Sequence, residues 1–273
     1  MPFCDDGERR IYYEVSGSGS PLLFISGLSG GSWSWYQQRP FFEAFYTVIV
    51  FDNRGAGKSW MPPGPYTMDQ MAEDALALLD HLEINKTHVA GISMGGMIAQ
   101  QLAATHPDRV SALVLGCTHC GKSRRIAPAR EVLDRLSSQE GLSPEEIVEK
   151  NIPLLFGEKC RKEHPEIVDE YKRKTLSAPI QPFEAFQAQL IAINRFNVCD
   201  ILYRITCPTL IITGKDDILV PPQNSKVLAE LIPNSQLVEL DGIGHAIHLE
   251  ATETFNELVL EFLRQVEKSI GQA

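Results

Sequence analysis

The segment that most constrains this chain is Gly91-Ile92-Ser93-Met94-Gly95. It is set between the β-type run Lys86–Ala90 and a helical run that opens with Met97, Ile98, Gln101 and Leu102. Glycine two positions either side of a serine is the pattern of a tight strand-to-helix turn that lifts the hydroxyl clear of the top of a sheet. The requirement is steric. A strained backbone at the serine is possible only where its neighbours carry no Cβ against the adjoining strand and helix.

A serine hydroxyl is a poor nucleophile unless a base takes its proton and a third group orients that base. Two later segments supply candidates. Pro208–Thr213 is an apolar, β-branched run that reads as a buried parallel strand, and it ends in Gly214-Lys215-Asp216-Asp217-Ile218-Leu219-Val220-Pro221. Ser235–Leu240 reads as another strand, ending in Asp241-Gly242-Ile243-Gly244-His245. Carboxylates and a histidine therefore fall just past the carboxyl ends of strands, where ligands and chemistry gather in open α/β sheets. Either Asp216 or Asp217 could be the acid, and either His245 or His248 the base. Only His245 follows the glycine-rich turn.

Around these segments, β-type runs at Ile11–Val15, Leu22–Ser26, Thr47–Phe51, His88–Gly91, Ala112–Leu115, Thr209–Thr213 and Gln236–Leu240 alternate with helical patterns. That alternation predicts an α/β fold with a mostly parallel, doubly wound sheet. Thr67-Met68-Asp69-Gln70 is a capping box, followed by the apolar stripe Met71, Ala72, Ala75, Leu79 and Leu82; Phe255, Leu258, Val259, Phe262 and Val266 form a second stripe. One long interruption separates the strand ending near Gly116 from the one beginning at Pro208. It contains Ser143-Pro144-Glu145-Glu146, a capping box with proline at the first helical position, and helical runs near Arg161–Leu176 and Pro182–Asn197. The expected organisation is a core of residues 1–117 and 205–273 with a helical insertion of residues 118–204.

Taken together, these segments resemble the α/β-hydrolase fold superfamily over nearly the whole chain. Within it the chain is similar to small esterase, enol-lactonase and C–C hydrolase members that carry a helical cap. The matching residues are Ser26-Gly27-Leu28, Asp52-Asn53-Arg54-Gly55-Ala56-Gly57-Lys58-Ser59, the Ser93 turn, Gly214-x-x-Asp217-x-x-Val220-Pro221 and Gly242-x-Gly244-His245. The resemblance implies that Ser93 is the nucleophile, His245 the base and Asp217 the acid, in the superfamily's chain order. It also implies an oxyanion hole formed by the backbone N–H groups of Leu28 and Met94. The inserted helices then form a lid over the active site, and Trp60 reaches the pocket. Relatives often carry His-Gly where this chain has Ser26-Gly27, which leaves the support of that loop to other side chains. Serine at the turn disfavours the Asp-nucleophile epoxide hydrolases and dehalogenases.

The remaining features mostly exclude. A formal charge of −10 argues against nucleic-acid binding, which needs concentrated Lys and Arg. The N-terminus lacks the apolar stretch of a signal peptide, and no run approaches the ~20 apolar residues of a membrane span. A cytoplasmic protein is the default expectation. Six scattered cysteines read most simply as reduced thiols. Cys117-Thr118-His119-Cys120 has no second Cys/His pair at zinc-like spacing, so no metal and no cofactor are expected. Gly55-Ala56-Gly57-Lys58-Ser59 imitates the tail of a phosphate loop, but Asp52 stands where its first glycine belongs. His81, His88, His106, His119 and His164 read as solvated or packing residues.

The functional expectation is hydrolysis of a small carboxylic ester or lactone, enol-lactonase-like or carboxylesterase-like. The same triad could also serve C–C bond hydrolysis, acyl transfer or cofactor-free perhydrolysis, and the fold could persist in a ligand-binding protein. Residues 118–204 hold 14 Lys/Arg and 13 Asp/Glu, against 11 and 22 elsewhere. The insertion begins with Lys122, Arg124, Arg125 and Arg130. Arg124 and Arg125 are candidates to grip a substrate carboxylate, and a solvated basic face is the alternative. Nothing in the sequence sets the oligomeric state.

Overall fold

Every buried strand of this chain presents alternate residues to opposite faces, so both faces must be covered. The computed structural model describes residues 2–270. Its eight strands are β1 (Phe3–Asp5), β2 (Arg10–Ser16), β3 (Pro21–Ile25), β4 (Thr47–Phe51), β5 (Thr87–Ile92), β6 (Val110–Gly116), β7 (Thr209–Gly214) and β8 (Ser235–Leu240). They form one sheet in the order β1-β2-β4-β3-β5-β6-β7-β8. Only β2 runs antiparallel to its neighbours β1 and β4. The remaining pairings are parallel.

Leu22, Phe24, Val48, Val50, Ala90, Ile92 and Val114 face one side, packed with Phe42 of α1 (Gln38–Phe42) and with Phe255, Val259, Phe262 and Leu263 of α11 (Thr252–Ile270). Leu23, Ile25, Ile49, Phe51, Val89, Leu113 and Leu115 face the other. There they meet the stripes of α2 (Met68–His81) and α3 (Met94–Thr105). Thr67 caps α2 as its sequence predicts: the hydroxyl accepts from Gln70 N, and the Gln70 side chain accepts from Thr67 N. The β1 strand was not anticipated. At three residues on the sheet edge, it is too short to show a period.

The chain leaves β3 towards β4 on one side and leaves β5 towards β6 on the other, while β3 and β5 themselves are paired. Their carboxyl ends therefore flank the point where the winding reverses, and a crevice opens there. Between β6 and β7 lie α4 (Arg130–Ser137), α5 (Pro144–Leu155), α6 (Glu158–Glu163), α7 (Pro165–Leu176) and α8 (Phe183–Arg195). Ser143 and Glu146 close the predicted capping box on α5. The single helical run expected near Arg161–Leu176 is two helices, because Pro165 cannot continue α6 and instead starts α7. Ile152, Phe156, Cys160 and Val168 of this region pack on Ala246 and Leu249, so the insertion rests on the segment that carries His245. After β7 the chain adds α9 (Gln223–Leu231) and, beyond β8, the short α10 (Ile247–Glu250).

The expectation of uniformly reduced thiols needs correction. Cys120 and Cys199 form a disulfide, with Cα atoms 4.9 Å apart across a sequence separation of 79. No local pattern connects them. They meet because the two ends of the insertion run side by side, Val198 N donating to Cys120 O and Lys122 N to Phe196 O. Cys4, Cys117, Cys160 and Cys207 are free thiols. Among the described residues, no helix is long and apolar enough to cross a membrane.

Candidate active site

Ser93 sits between β5 and α3 at φ 57° and ψ −121°, a left-handed conformation that strains any residue with a Cβ. The local sequence permits it. A Cβ on Gly91 would collide with the Gly95 carbonyl, and one on Gly95 with the carbonyl of Ile25 at the end of β3. The turn can therefore press against the sheet only as Gly-x-Ser-x-Gly. Met94 opens α3, and its N–H has no acceptor among the described residues. The N–H of Leu28, in the loop after β3, also lacks one. Two unsatisfied backbone donors thus flank the serine, one of them at the positive end of a helix.

The loop holding Leu28 is braced from several sides. Ser26, where relatives often place histidine, donates its hydroxyl to Gly31 O at 2.8 Å. Asn53 Nδ2 donates to Ser26 O at 2.9 Å, and buried Asp52 accepts from the backbone of Ser32 and Lys58. The smaller side chain therefore leaves no unsupported loop. From the insertion, Gln189 Oε1 accepts from Ser29 N at 3.1 Å.

Past β7, Asp217 is buried and fully bonded. Oδ1 accepts from Leu219 N and Val220 N at 2.9 and 2.8 Å, and Oδ2 lies 2.7 Å from Nδ1 of His245. Asp216, its neighbour, is exposed. Glu250 supports the histidine loop from behind: one carboxylate oxygen accepts from Gly244 N and the other from Gly157 N, both at 3.0 Å. Burial pushes the Glu250 carboxyl up to about 7, against the pull of those two donors. His248 is buried against Trp35, with Nδ1 unpartnered, and burial together with the His245 ring pushes it down to about 3. It is a neutral packing residue.

Cys117, Asp217 and His245 bring ligand-type atoms within 4.8 Å of one another. Metal binding there needs a thiolate, yet burial and then the Asp217 charge hold the Cys117 thiol well above its ordinary range. Both Asp217 oxygens are already engaged. The donor chemistry fits a hydrogen-bonded pair backed by a protonated thiol and does not fit a metal site.

Ser93, His245 and Leu28 line a single cavity of about 250 Å³ under the inserted helices. The walls are mostly apolar, from residues such as Met97, Leu133, Val148 and Phe186. Arg125 reaches this cavity. Arg124 does not: its exposed guanidinium pairs with Glu230 at 3.1 Å. Trp60 is also elsewhere, in a surface recess with Arg9, Arg54 and Glu73. The backbone turn fixes that outcome, because Trp60 N donates to Arg10 O on the outer strand β2. His119, expected to be solvated or packing, is buried with its ring against Phe196 and also forms part of the cavity wall. No spacing signal singled out Gln189 or Glu250.

The family profile described as the alpha/beta hydrolase fold matches residues 20–145 and 154–252. This chain belongs to that family. A protein of Azorhizobium caulinodans named "Putative carbamate hydrolase RutD" is 31% identical, over 98% of this chain and 100% of its own. The 3-oxoadipate enol-lactonase 2 of Acinetobacter baylyi is 32% identical, over 87% of this chain and 86% of its own. Among solved structures, a thermophilic esterase from Thermogutta terrifontis, described with malate bound, superposes with a TM-score of 0.82 at 31% identity and 94% coverage of each chain. Family and relatives support hydrolase activity. The relatives act, by their names, on different bonds.

Proposed function

We propose that this protein is a serine hydrolase of small carboxylic esters or lactones that works through an acyl-enzyme. Ser93 Oγ attacks the carbonyl carbon and His245 accepts its proton. The C–O bond to the leaving group breaks as His245 returns the proton to that oxygen. Water, deprotonated by His245, then attacks the Ser93 ester and releases the acid. Asp217 keeps the imidazole in one tautomer and stabilises its charged form. The N–H groups of Met94 and Leu28 stabilise the oxyanion, each typically worth ~3 kcal/mol.

The observation that carries this reading is that one cavity is lined by a left-handed Ser93, flanked by two acceptorless N–H groups, and by a His245 whose Nδ1 is held 2.7 Å from a fully bonded Asp217. A ligand-binding module has no need of that arrangement. An ester or lactone is preferred because the cavity is small and its walls are mostly apolar, which suits a compact substrate with few polar groups.

The test is covalent. A fluorophosphonate probe is expected to add one label per chain, at Ser93, with Ser93→Ala unlabelled, and a panel of short-chain aryl esters and lactones to be turned over by the wild type alone. Labelling that persists in Ser93→Ala overturns the assignment.

A further inference from the structure

The charges lining the cavity run against those of the whole chain. The protein carries 35 Asp/Glu against 25 Lys/Arg. Yet the cavity wall includes Arg125 and Lys174 and no aspartate or glutamate. The two cations are not equivalent. Lys174 lies over the Tyr36 ring, its nitrogen 5.3 Å from the centroid. Arg125 is half-buried and has no ion pair or side-chain hydrogen bond among the described residues. Other arginines here find carboxylates: Arg54 with Asp74, Arg109 with Asp80 at 2.7 Å, and adjacent Arg124 with Glu230.

Arg125 is also held in place. Its N–H donates to Gly121 O at 2.9 Å, and the next residue, Ile126, exchanges two 2.9 Å hydrogen bonds with buried Asn224. Beside it stands His119, 4% exposed, with Nδ1 lacking any partner. Burial, then the nearby Arg125 charge, pushes His119 down to about 3, so the ring is neutral and can donate one N–H. A guanidinium without a counter-ion beside a neutral imidazole, on the wall of a mostly apolar cavity, leaves donors without acceptors at the edge of the space a ligand would fill.

We propose that Arg125 and His119 form a carboxylate subsite in the cavity, so that the substrate is an ester or lactone bearing a second, ionised carboxyl group, such as a half-ester of a small dicarboxylic acid. Arg125 supplies the paired donors that match a carboxylate, and His119 supplies a third. This inference rests on the serine-hydrolase reading for its substrate, but not for its binding chemistry.

The experiment compares 4-nitrophenyl butyrate with mono-4-nitrophenyl glutarate, and separately measures glutarate binding to Ser93→Ala by calorimetry. In Arg125→Gln the ratio of kcat/KM for the anionic over the neutral ester is expected to fall at least about tenfold, mainly through KM. That is the worth of one hydrogen bond between charged groups. Arg125→Lys should retain part of the preference, and Arg124→Gln, already paired on the surface, all of it. Glutarate should bind Ser93→Ala and fail to bind Ser93→Ala/Arg125→Gln. A ratio unchanged in Arg125→Gln, or glutarate binding that survives it, overturns the subsite. Arg125-dependent glutarate binding without turnover of either ester overturns the hydrolase reading and leaves the subsite standing.

Discussion

Gln189, on helix α8 of the insertion, accepts a hydrogen bond from the backbone N–H of Ser29, one residue past the proposed oxyanion donor Leu28. Its amide nitrogen donates to Arg54 O at 2.8 Å, and its oxygen also accepts from Gln181 Nε2 at 3.0 Å. One buried side chain thus ties the inserted helices to two loops of the core. The seating of the inserted helices and the position of the loop after β3 are mechanically linked.

Replacing Gln189 by leucine should therefore do more than lower stability. It strands the Ser29 N–H and the Arg54 carbonyl, a cost of about 2 kcal/mol. It also frees the loop that aims Leu28 N–H at the oxyanion, an interaction made mainly in the transition state. We expect a lower Tm together with about a tenfold loss in kcat and a smaller change in KM for an aryl ester. An unchanged kcat would show that the loop after β3 holds its own conformation.

The tight turn at Ser93, the strand ends before Asp217 and His245 and the winding of the sheet were legible because each follows from local chemistry. Gly91 and Gly95 are needed to let Ser93 approach β3, and the β-branched runs before Asp217 and His245 mark strand ends. What stayed hidden depends on where the insertion folds back. Arg124 and Arg125 are indistinguishable in sequence, yet only a turn pinned to Gly121 and Asn224 sends one to Glu230 and the other to the cavity. Trp60 misled for the same reason. Its neighbourhood resembles a family segment, while its direction is set by a hydrogen bond to Arg10 on β2. Gln189 gave no signal, since a lone polar residue in a helical insertion has no period or spacing to betray its partner.

Asp217 and Asp216 should respond very differently to the same change. Asp217→Asn keeps the shape and an oxygen to accept from Leu219 N and Val220 N, but turns an N–H donor towards His245 where the carboxylate accepts. With the amide holding the imidazole in the wrong tautomer, turnover should drop by about 10⁴. Asp216→Asn, at an exposed position, should stay within about twofold, as expected of a surface site. Steady-state rates on one aryl ester distinguish the two, and a reversed ranking would overturn the assigned acid.

Glu250 should make stability depend on pH. Its folded-state value is raised from an ordinary 4.5 to about 7, chiefly by burial, so folding favours the protonated carboxyl. That contribution is complete below about pH 4.5 and is lost as the pH rises through about 7, a change on the order of a few kcal/mol. Denaturant unfolding at about pH 5 and pH 8 should show wild type losing more stability than Glu250→Gln across the window. Equal losses would mean that Glu250 is ionised throughout.

The Cys120–Cys199 bond should behave as a clasp for the insertion. The two ends it joins already form an antiparallel contact, with Gly121 bridged to Asn197, so the bond fastens strands of chain that fold together without it. Its main effect is then on the unfolded chain, where closing a loop across a separation of 79 residues removes entropy worth about 4 kcal/mol. Under denaturing, non-reducing conditions, a thiol reagent should find the four free cysteines, and after reduction all six. The reduced protein should unfold at lower denaturant while keeping its native fold in buffer. Six reactive thiols before reduction would show that the clasp is open, and the insertion would then be held by its packing on Ala246 and Leu249 and by its non-covalent contacts, those of Gln189 and Glu250 among them.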